Sequence, residues 1–186
     1  MNRQEAWDLL CEYTQSESLR KHALSVEAAM IKYAEHFGQD RDRWSLTGLL
    51  HDFDYERWPN PPEHTREGAE ILRERGLDGE IVEAILSHAD WNQDDYPRDR
   101  PIRKALFAVD ELCGLITATA LVRPGRLGGM TPKSIRKKMK TSAFAASVNR
   151  DDIVKGAELL EIELNDHIAN CIAAMQGVAG ELGLAD

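Results

Sequence analysis

The sequence predicts an all-α protein, and three observations support this prediction. Nearly every segment places its apolar residues at the helical period, and no segment alternates with period two for long enough to form a sheet. Residues that favour helix N-termini precede several of the apolar runs. A chain of 186 residues suits one domain with a sizeable core, so we expect a single helical bundle.

Capping and breaking residues bound the expected helices. Ser16 is a good N-cap for a second helix that Gly38 can end, and Asp78 caps a fifth. Pro101 opens a sixth helix, which is apolar on most sides and should be central, and Pro132 suits the first turn of a short basic helix. We expect helices at about residues 3–13, 16–38, 42–51, 61–76, 78–88 and 101–121, the short basic helix, and a long last helix over 151–180.

Composition argues against several classes of protein. Cys11, Cys113 and Cys171 are odd in number and form no CxxC pair, so neither a zinc ribbon nor a disulfide framework has support. No window approaches the roughly 20 consecutive apolar residues of a membrane span, and the first residues lack the apolar core of a secretory signal. We therefore expect a cytoplasmic protein without a membrane partner.

Charge is distributed unevenly along the chain. The formal net charge is −9, which argues against general nucleic-acid binding. Residues 112–150, however, contain eight basic residues and no acidic one. This stretch favours a small phosphorylated ligand, with ordinary solvated surface as the alternative.

Four of the six histidines fall where a helix should face inward. His22, His64 and His88 each extend the apolar stripe of their own helix, and His51 lies beside Asp52 where the third helix ends. A single histidine on an apolar face is usually a satisfied core residue. Four of them in one small domain are harder to explain in that way, so we interpret them as candidate metal ligands.

Asp110 adds a carboxylate to this set. Its helical neighbours include Leu106, Phe107 and Cys113, and a bare carboxylate among such side chains is costly unless it is paired or bound to a metal. Glu111 is in a similar position, and one of the two acids is expected to bind a metal while the other is satisfied by a basic side chain.

The mixture of imidazole and carboxylate favours Fe, Mn, Zn, Co or Ni over Mg or Ca, which prefer oxygen ligands. Six such ligands exceed the needs of one tetrahedral zinc and suit two divalent metal ions, with Asp52 as the bridge. Two metal ions close together can lower the pKa of a water molecule and hold the reacting oxygens of a phosphoryl transfer.

The other histidines and the loop aromatics are interpreted separately. His36 suits a helix C-terminus, where it complements the dipole, and His167 is expected to be structural or at the surface. Trp58, Trp91 and Tyr96 lie in loops that flank candidate ligands, where they either line a pocket or pack structurally.

The ordered series of His22, the adjacent His51 and Asp52, and the later Asp110 resembles the HD superfamily of metal-dependent phosphohydrolases. The matching segments are Arg20-Lys-His-Ala-Leu-Ser-Val-Glu, Leu46-Thr-Gly-Leu-Leu-His-Asp, His64-Thr-Arg-Glu-Gly-Ala-Glu-Ile-Leu and Ile85-Leu-Ser-His-Ala-Asp. The segments Ala120-Leu-Val-Arg-Pro, Lys137-Lys-Met-Lys and Ala143-Phe-Ala-Ala-Ser-Val-Asn-Arg are similar to small bacterial HD hydrolases of the HDIG type. The resemblance covers roughly residues 19–150 of a single domain spanning 1–186.

The resemblance implies two metal sites that share one carboxylate. The first site takes His22, His51, Asp52 and Asp110, and the second takes Asp52, His64 and His88. His51 and Asp52 are implied to be the catalytic pair. The Gly-Tyr-Pro motif and the paired histidines of the cyclic-dinucleotide-cleaving branch are absent, which argues against that substrate, and Phe-Asp stands where HDIG proteins have Ile-Gly.

The sequence leaves three functions open. The resemblance and the basic stretch favour hydrolysis of a phosphate ester, either of a nucleotide or of a related small molecule. The candidates for holding its phosphate are Arg20, Lys21, Arg66, Arg123 and Lys137. The second function is a di-iron oxygenase, because some HD-fold oxygenases use the same ordered ligands, and the third is a metal-binding sensor or interaction domain without turnover.

Overall fold

The computed structural model describes all 186 residues, and every regular element is a helix. Ten α-helices and one short 3-10 helix (Asp90–Asn92) follow one another without a strand, which confirms the predicted all-α class. The α-helices are α1 (Arg3–Tyr13), α2 (Glu17–Phe37), α3 (Arg41–Leu50), α4 (Glu63–Glu74), α5 (Gly79–His88), α6 (Pro101–Leu121), α7 (Pro132–Met139), α8 (Arg150–Leu159), α9 (Leu164–Gly177) and α10 (Ala179–Leu182). None of them combines the length and the apolar character needed to cross a bilayer.

Neighbouring side chains set several helix bounds as predicted. The Ser16 side chain accepts a bond from the backbone N–H of Leu19 at the start of α2, and Asp78 accepts one from Glu80 at the start of α5. Gly38 ends α2 in the left-handed conformation with φ of 62°. These bonds join residues at most three positions apart, and therefore the sequence alone predicts them.

The prediction of one long last helix over residues 151–180 is wrong. The chain forms α8, α9 and α10 there, with a turn at residues 160–163 in which Glu161 adopts a left-handed φ of 57°. The turn directs α9 against α2 and α6, and this packing buries Ile168 and Ile172. Burial of apolar side chains outweighs the local preference for a continuous helix.

The predicted central helix is α6, and the structure agrees. Leu106, Leu112 and Ile116 are fully buried, and α6 packs against α2, α5, α8 and α9. The buried apolar residues form two clusters, one around α6 and the other among α1, α3, α4 and α5. The candidate ligands come from helices of both clusters, so the packing of the two halves determines their relative positions.

A close helix crossing brings α3 against α2. A Cβ atom on Gly48 would lie only 2.8 Å from the Cα of Glu27, so a glycine is required where these helices cross. The approach places the C-terminal end of α3, which is followed by His51, beside the helix that carries His22. The first pair of candidate ligands therefore depends on a backbone contact between two helices.

Candidate metal centre

The fold brings all six predicted ligands together from five segments of the chain. His22 lies in α2, His51 and Asp52 follow α3, His64 precedes the regular part of α4, His88 ends α5, and Asp110 lies in the middle of α6. Two groups have ligand atoms within 4.8 Å of one another. The first consists of His22, His51 and Asp52, and the second of Asp52, His64 and His88.

Asp52 is the residue common to both groups. Its Oδ1 lies 3.3 Å from His64 Nε2 and 3.2 Å from His88 Nε2, while its Oδ2 lies 3.6 Å from His51 Nε2. One oxygen therefore faces the second group, and the other faces the first. This is the arrangement that a bridging carboxylate needs.

Asp110 lies against the first group. Its Oδ1 is 2.9 Å from His22 Nε2 and 3.5 Å from His51 Nε2. The carboxylate, which α6 carries, thus approaches the same two imidazoles that join Asp52 in the first group. The side chain is about one-quarter exposed, so the group opens towards solvent on this side.

Hydrogen bonds from Nδ1 to backbone carbonyls fix the direction of two imidazole rings. His51 Nδ1 donates to the backbone carbonyl of Gly48 over 2.8 Å, and His88 Nδ1 donates to that of Ile85 over 2.6 Å. Since a carbonyl can only accept, Nδ1 carries the hydrogen in both rings. Their Nε2 atoms are therefore free to offer a lone pair, as metal-binding histidines do.

Two buried atoms in the centre lack any hydrogen-bond partner, namely His51 Nε2 and Asp52 Oδ1. A buried polar atom without a partner costs about 1–3 kcal/mol, and more when it carries charge. Both atoms face the ligand atoms of neighbouring candidate residues, and no donor of the protein satisfies them. A divalent cation does, and the donor set of nitrogen and oxygen atoms fits such an ion.

The local charges agree with this fit. Burial opposes ionisation of Asp52, but His51, His64 and His88 outweigh burial and hold its pKa well below the usual range. Burial likewise disfavours the charged ring of His51, but Asp52 and Asp110 outweigh it and raise its pKa to about 9. The centre as a whole attracts positive charge, whether from protons or from a metal ion that replaces them.

Asp54 is a functional candidate that the sequence analysis missed. It is buried, its Oδ1 accepts a bond of 3.0 Å from His64 Nδ1, and its Oδ2 accepts bonds from the backbone N–H groups of Thr65 and Gly68 over 2.8 and 3.1 Å. A Cβ atom on Gly68 would lie 2.6 Å from that oxygen, so the residue must be small. The available signal was a second acid two residues after Asp52.

The segment around Thr65 is held in an unusual conformation. Thr65 has a φ of 70°, which is costly for a β-branched residue and persists only where its surroundings impose it. The bond to Asp54 and a bond of 2.9 Å from the Asn92 side chain to Thr65 Oγ1 supply those surroundings. This backbone aims His64 into the site and delays the regular turns of α4 to Arg66.

Arg98 secures the end of α5, and its role was also missed. Its guanidinium is almost fully buried and donates to the carbonyls of Ser87 and His88 over 3.0 and 2.6 Å. It also pairs with Asp90 at 2.8 Å. Positive charge at a helix C-terminus is favourable, and here it fixes the backbone that presents His88. The contact spans ten residues of loop, so no local pattern predicts it.

Glu111 is satisfied differently from the prediction. Its carboxylate accepts a bond of 3.1 Å from the backbone N–H of Asn149 and pairs with no basic side chain. Burial and the neighbouring charge of Asp110 raise the pKa of Glu111 to about 7. The segment before α8 therefore lies over α6 next to the centre.

The predicted phosphate-binding residues are dispersed. Arg20 donates to the carbonyls that end α1, and Lys21 pairs with Glu17 at 2.6 Å; both line a groove of about 540 Å³ that contains no candidate ligand. Arg123 donates to the Gly128 carbonyl and to Ser134 in its own connection.

Arg66 and Lys137 occupy different positions. Arg66 follows His64 and Thr65 directly, and its Nε donates to Asn92 over 3.0 Å, so it lies at the edge of the centre. Lys137 is exposed on α7 and forms no ion pair. Of the five predicted residues, Arg66 is the one that the fold ties to the site.

The remaining predicted residues lie apart from the centre, except for Trp91. His36 is exposed in the last turn of α2, and His167 is fully buried among other groups. Trp58 packs near Tyr13, with ring centroids 6.3 Å apart. Tyr96 is partly buried against the smaller apolar cluster.

Comparison with known proteins gives a family for this arrangement. No solved structure matches the chain significantly. The model of the HD domain matches residues 19–115, which is more than half of the chain and includes all six candidate ligands. The chain therefore belongs to the HD domain family.

Proposed function

We propose that the protein is a phosphohydrolase that uses two divalent metal ions to cleave a phosphate ester of a nucleotide or related small molecule. The observation that carries the proposal is the pair of ligand groups that share Asp52, together with the two buried atoms that have no partner in the protein and that a cation would satisfy. Family membership supports it, since the HD domain is typical of metal-dependent phosphohydrolases. Two divalent ions, when bound, lower the pKa of a water molecule and offset charge on the phosphoryl oxygens.

The residues of the chain would prepare this chemistry in distinct ways. The fixed rings of His51 and His88 present Nε2 without rearrangement, because their Nδ1 atoms are already bonded to the backbone. Asp52 holds one oxygen towards each half of the centre, and Asp110 supports the half that contains His22. Preorganisation of this kind is how a site lowers a barrier without reorganising during the reaction.

Arg66 is our candidate for holding the phosphate. The Asn92 side chain anchors its Nε, and the exposed Asp95 carboxylate lies 3.6 Å from one of its terminal nitrogens. The guanidinium is half exposed and has further donors for a ligand. A guanidinium can bind two phosphate oxygens at once, which a lysine cannot do. The basic stretch of residues 112–150 would add a long-range attraction for anions.

The decisive experiment combines metal analysis with a survey of substrates. Protein purified without oxygen should contain about two ions of Fe, Mn, Zn, Co or Ni, and reloaded protein should release inorganic phosphate from some phosphate esters among nucleotides, sugar phosphates and aryl phosphates. The control is the same protein after removal of the metal with a chelator. Release that persists without metal would contradict the proposal.

The two alternative functions predict different results. Mixed-valent iron, together with consumption of dioxygen and no phosphate release, would assign the centre to oxygenase chemistry. Metal-dependent binding of a phosphorylated ligand without release or oxidation would make the protein a sensor or an interaction domain. The basic stretch favours hydrolysis over oxygenase chemistry, because it concentrates multiply charged anions.

A further inference from the structure

Two exposed aromatic side chains lie at one edge of the centre. Tyr55 is 38% exposed and Trp91 is 42% exposed, and the other aromatic residues of the chain are all more buried. Tyr55 belongs to the turn after Asp52, and Trp91 to the short helix after His88. Apolar surface left in water is unfavourable by about 25 cal/mol per Å², so two large rings exposed next to a polar centre call for an explanation.

Both rings contact the same ligand side chain. The centroid of Tyr55 lies 5.1 Å from that of His64 at an interplanar angle of 82°, and that of Trp91 lies 5.9 Å away at 59°. His64 itself is only 5% exposed. The two aromatic rings therefore border the second ligand group and present their outer surfaces to solvent.

The backbone under Trp91 is held firmly. The neighbouring Asn92 is buried, and its side chain donates to Thr65 Oγ1 over 2.9 Å and to the Leu86 carbonyl over 3.0 Å, while its oxygen accepts from Arg66 Nε over 3.0 Å. A ring on such a support loses little freedom when a ligand binds, which favours affinity. The same contacts place the Arg66 guanidinium beside this aromatic edge.

We propose that Tyr55 and Trp91 form a subsite for a nucleobase, so that the substrate is a nucleotide whose phosphate reaches the metal centre. The inference rests on the proposed function, because it assigns the group that the phosphate carries. A nucleobase is planar and stacks on aromatic rings, and each base–aromatic contact changes binding by about 5- to 150-fold. Arg66 supplies the cation that a nucleotide phosphate needs next to that surface.

Ligands that differ only in the base provide the test. Adenosine 5′-monophosphate and ribose 5-phosphate share the sugar and the phosphate, so their dissociation constants isolate the contribution of the base. With metal-loaded protein in a calorimeter, we expect adenosine 5′-monophosphate to bind at least tenfold more tightly. The Trp91→Ala and Tyr55→Ala variants should each lose about 5- to 150-fold in affinity for the nucleotide and less than about twofold in affinity for ribose 5-phosphate.

Control variants separate stacking from a structural role. Trp91→Phe keeps an aromatic face and should retain most of the nucleotide affinity. Trp58→Ala removes a tryptophan of the neighbouring loop whose ring packs near Tyr13, and it should leave the ratio between the two ligands unchanged. The metal content of all variants should equal that of the wild type, because none of the changed residues is a candidate ligand.

The possible outcomes decide whether Tyr55 and Trp91 stack on a nucleobase or only shield His64 from solvent. Equal affinity of the wild type for both ligands, or equal losses for both in Trp91→Ala, would overturn the proposal and leave the rings as a cover for His64. Loss of metal in Trp91→Ala would overturn it in the same way. A preference for the nucleotide without phosphate release from any ester would support the subsite while contradicting the proposed hydrolysis.

Discussion

Two histidines in this protein are equally buried, and they have opposite surroundings. His51 and His167 are each fully inaccessible to solvent. His167 uses both ring nitrogens: Nδ1 accepts from the Tyr33 hydroxyl over 2.6 Å, and Nε2 donates to the Ala108 carbonyl over 2.9 Å. His51 uses Nδ1 only, and its Nε2 faces carboxylate oxygens without a hydrogen bond.

The two histidines differ in the protonation state that their surroundings favour. Burial lowers the pKa of His167 to about 4, and the hydrogen bond to the Ala108 carbonyl offsets only part of this effect. Asp52 and Asp110 outweigh burial at His51 and raise its pKa to about 9. Burial of a histidine therefore does not identify a site. What distinguishes the centre is a buried ring nitrogen, His51 Nε2, that has no hydrogen-bond partner and faces carboxylate oxygens.

The largest expected effect follows from removing the shared carboxylate. Asp52→Ala takes away the residue common to both ligand groups, so both ions should be lost together. We expect phosphate release to fall on the order of 1000-fold or more, because the bound ions supply the activated water. Metal analysis and a phosphate-release assay on the same preparation measure both effects.

A variant of an exposed histidine serves as the control for Asp52→Ala. His36→Ala changes an exposed ring at the end of α2, and it should keep the metal content and the activity of the wild type. The comparison of the two buried histidines would break down if the Asp52 variant kept its full metal content. The assignment of the centre would then be wrong.

The next effect concerns the satisfied histidine. Because the pKa of His167 is about 4 in the folded state and about 6.5 in the unfolded chain, acid protonates the unfolded state first. This contribution to stability is present above pH 6.5 and is lost as the pH falls towards 4, by about 3 kcal/mol in total. His167→Gln cannot titrate there, so the stability difference between wild type and variant should shrink over this range.

Denaturant unfolding at several pH values measures this difference. Protonation of the metal ligands affects wild type and variant alike and therefore cancels from it. Metal content per folded molecule should not change in His167→Gln or in His167→Ala, although His167→Ala loses the bond from Tyr33. A stability difference that is independent of pH between 7 and 4 would contradict the neutral, satisfied state of His167.

A smaller effect is expected at Asp54, which controls the direction of His64. In Asp54→Asn the amide oxygen can still accept from Thr65 and Gly68, and its NH2 group then faces His64 Nδ1. That favours the opposite tautomer, with hydrogen on Nε2 where a metal would bind. The second ion should bind about 10- to 100-fold more weakly, with the first unaffected.

Titration with limiting metal distinguishes the two ions. We expect the Asp54→Asn stoichiometry to fall from two towards one at metal concentrations that saturate the wild type. Asp94→Asn makes the same change at an exposed loop position and should bind both ions normally. Equal weakening of both ions in Asp54→Asn would show that the residue supports the whole centre.

The comparison also shows what the sequence could reveal. All six candidate ligands were predicted because each lies on an apolar helix face or at a helix end, and those patterns are local. Asp54 and Arg98 were missed, because their partners are recognised only when distant segments meet. The break at Glu161 was missed for a related reason, since the residues there continue the helical period and contain no glycine or proline.

The unpaired basic residues at the surface of α7 contrast with the unpaired atoms of the metal centre, because water hydrates the surface charges. Lys133, Arg136 and Lys137 share one exposed face of α7 at helical spacing, opposite the buried Ile135. The C-cap residue Lys140 continues this row, and none of the four residues forms an ion pair. Unlike the orphan atoms of the centre, these charges require no ligand. We expect them to attract anions only at long range.

Charge reversal in this row should therefore have the smallest effect. Lys137→Glu should raise the Michaelis constant for a multiply charged substrate about two- to threefold at low salt, and added salt should remove the difference. The turnover number should stay constant, because the ligands of the centre are untouched. A substrate with one negative charge should be affected less.

The control is Lys32→Glu, which makes the same charge reversal at an exposed position of α2 and should change neither constant. If Lys137→Glu also leaves both constants unchanged at low salt, the row is only solvated surface, and Arg66 with the metal centre must hold the substrate alone.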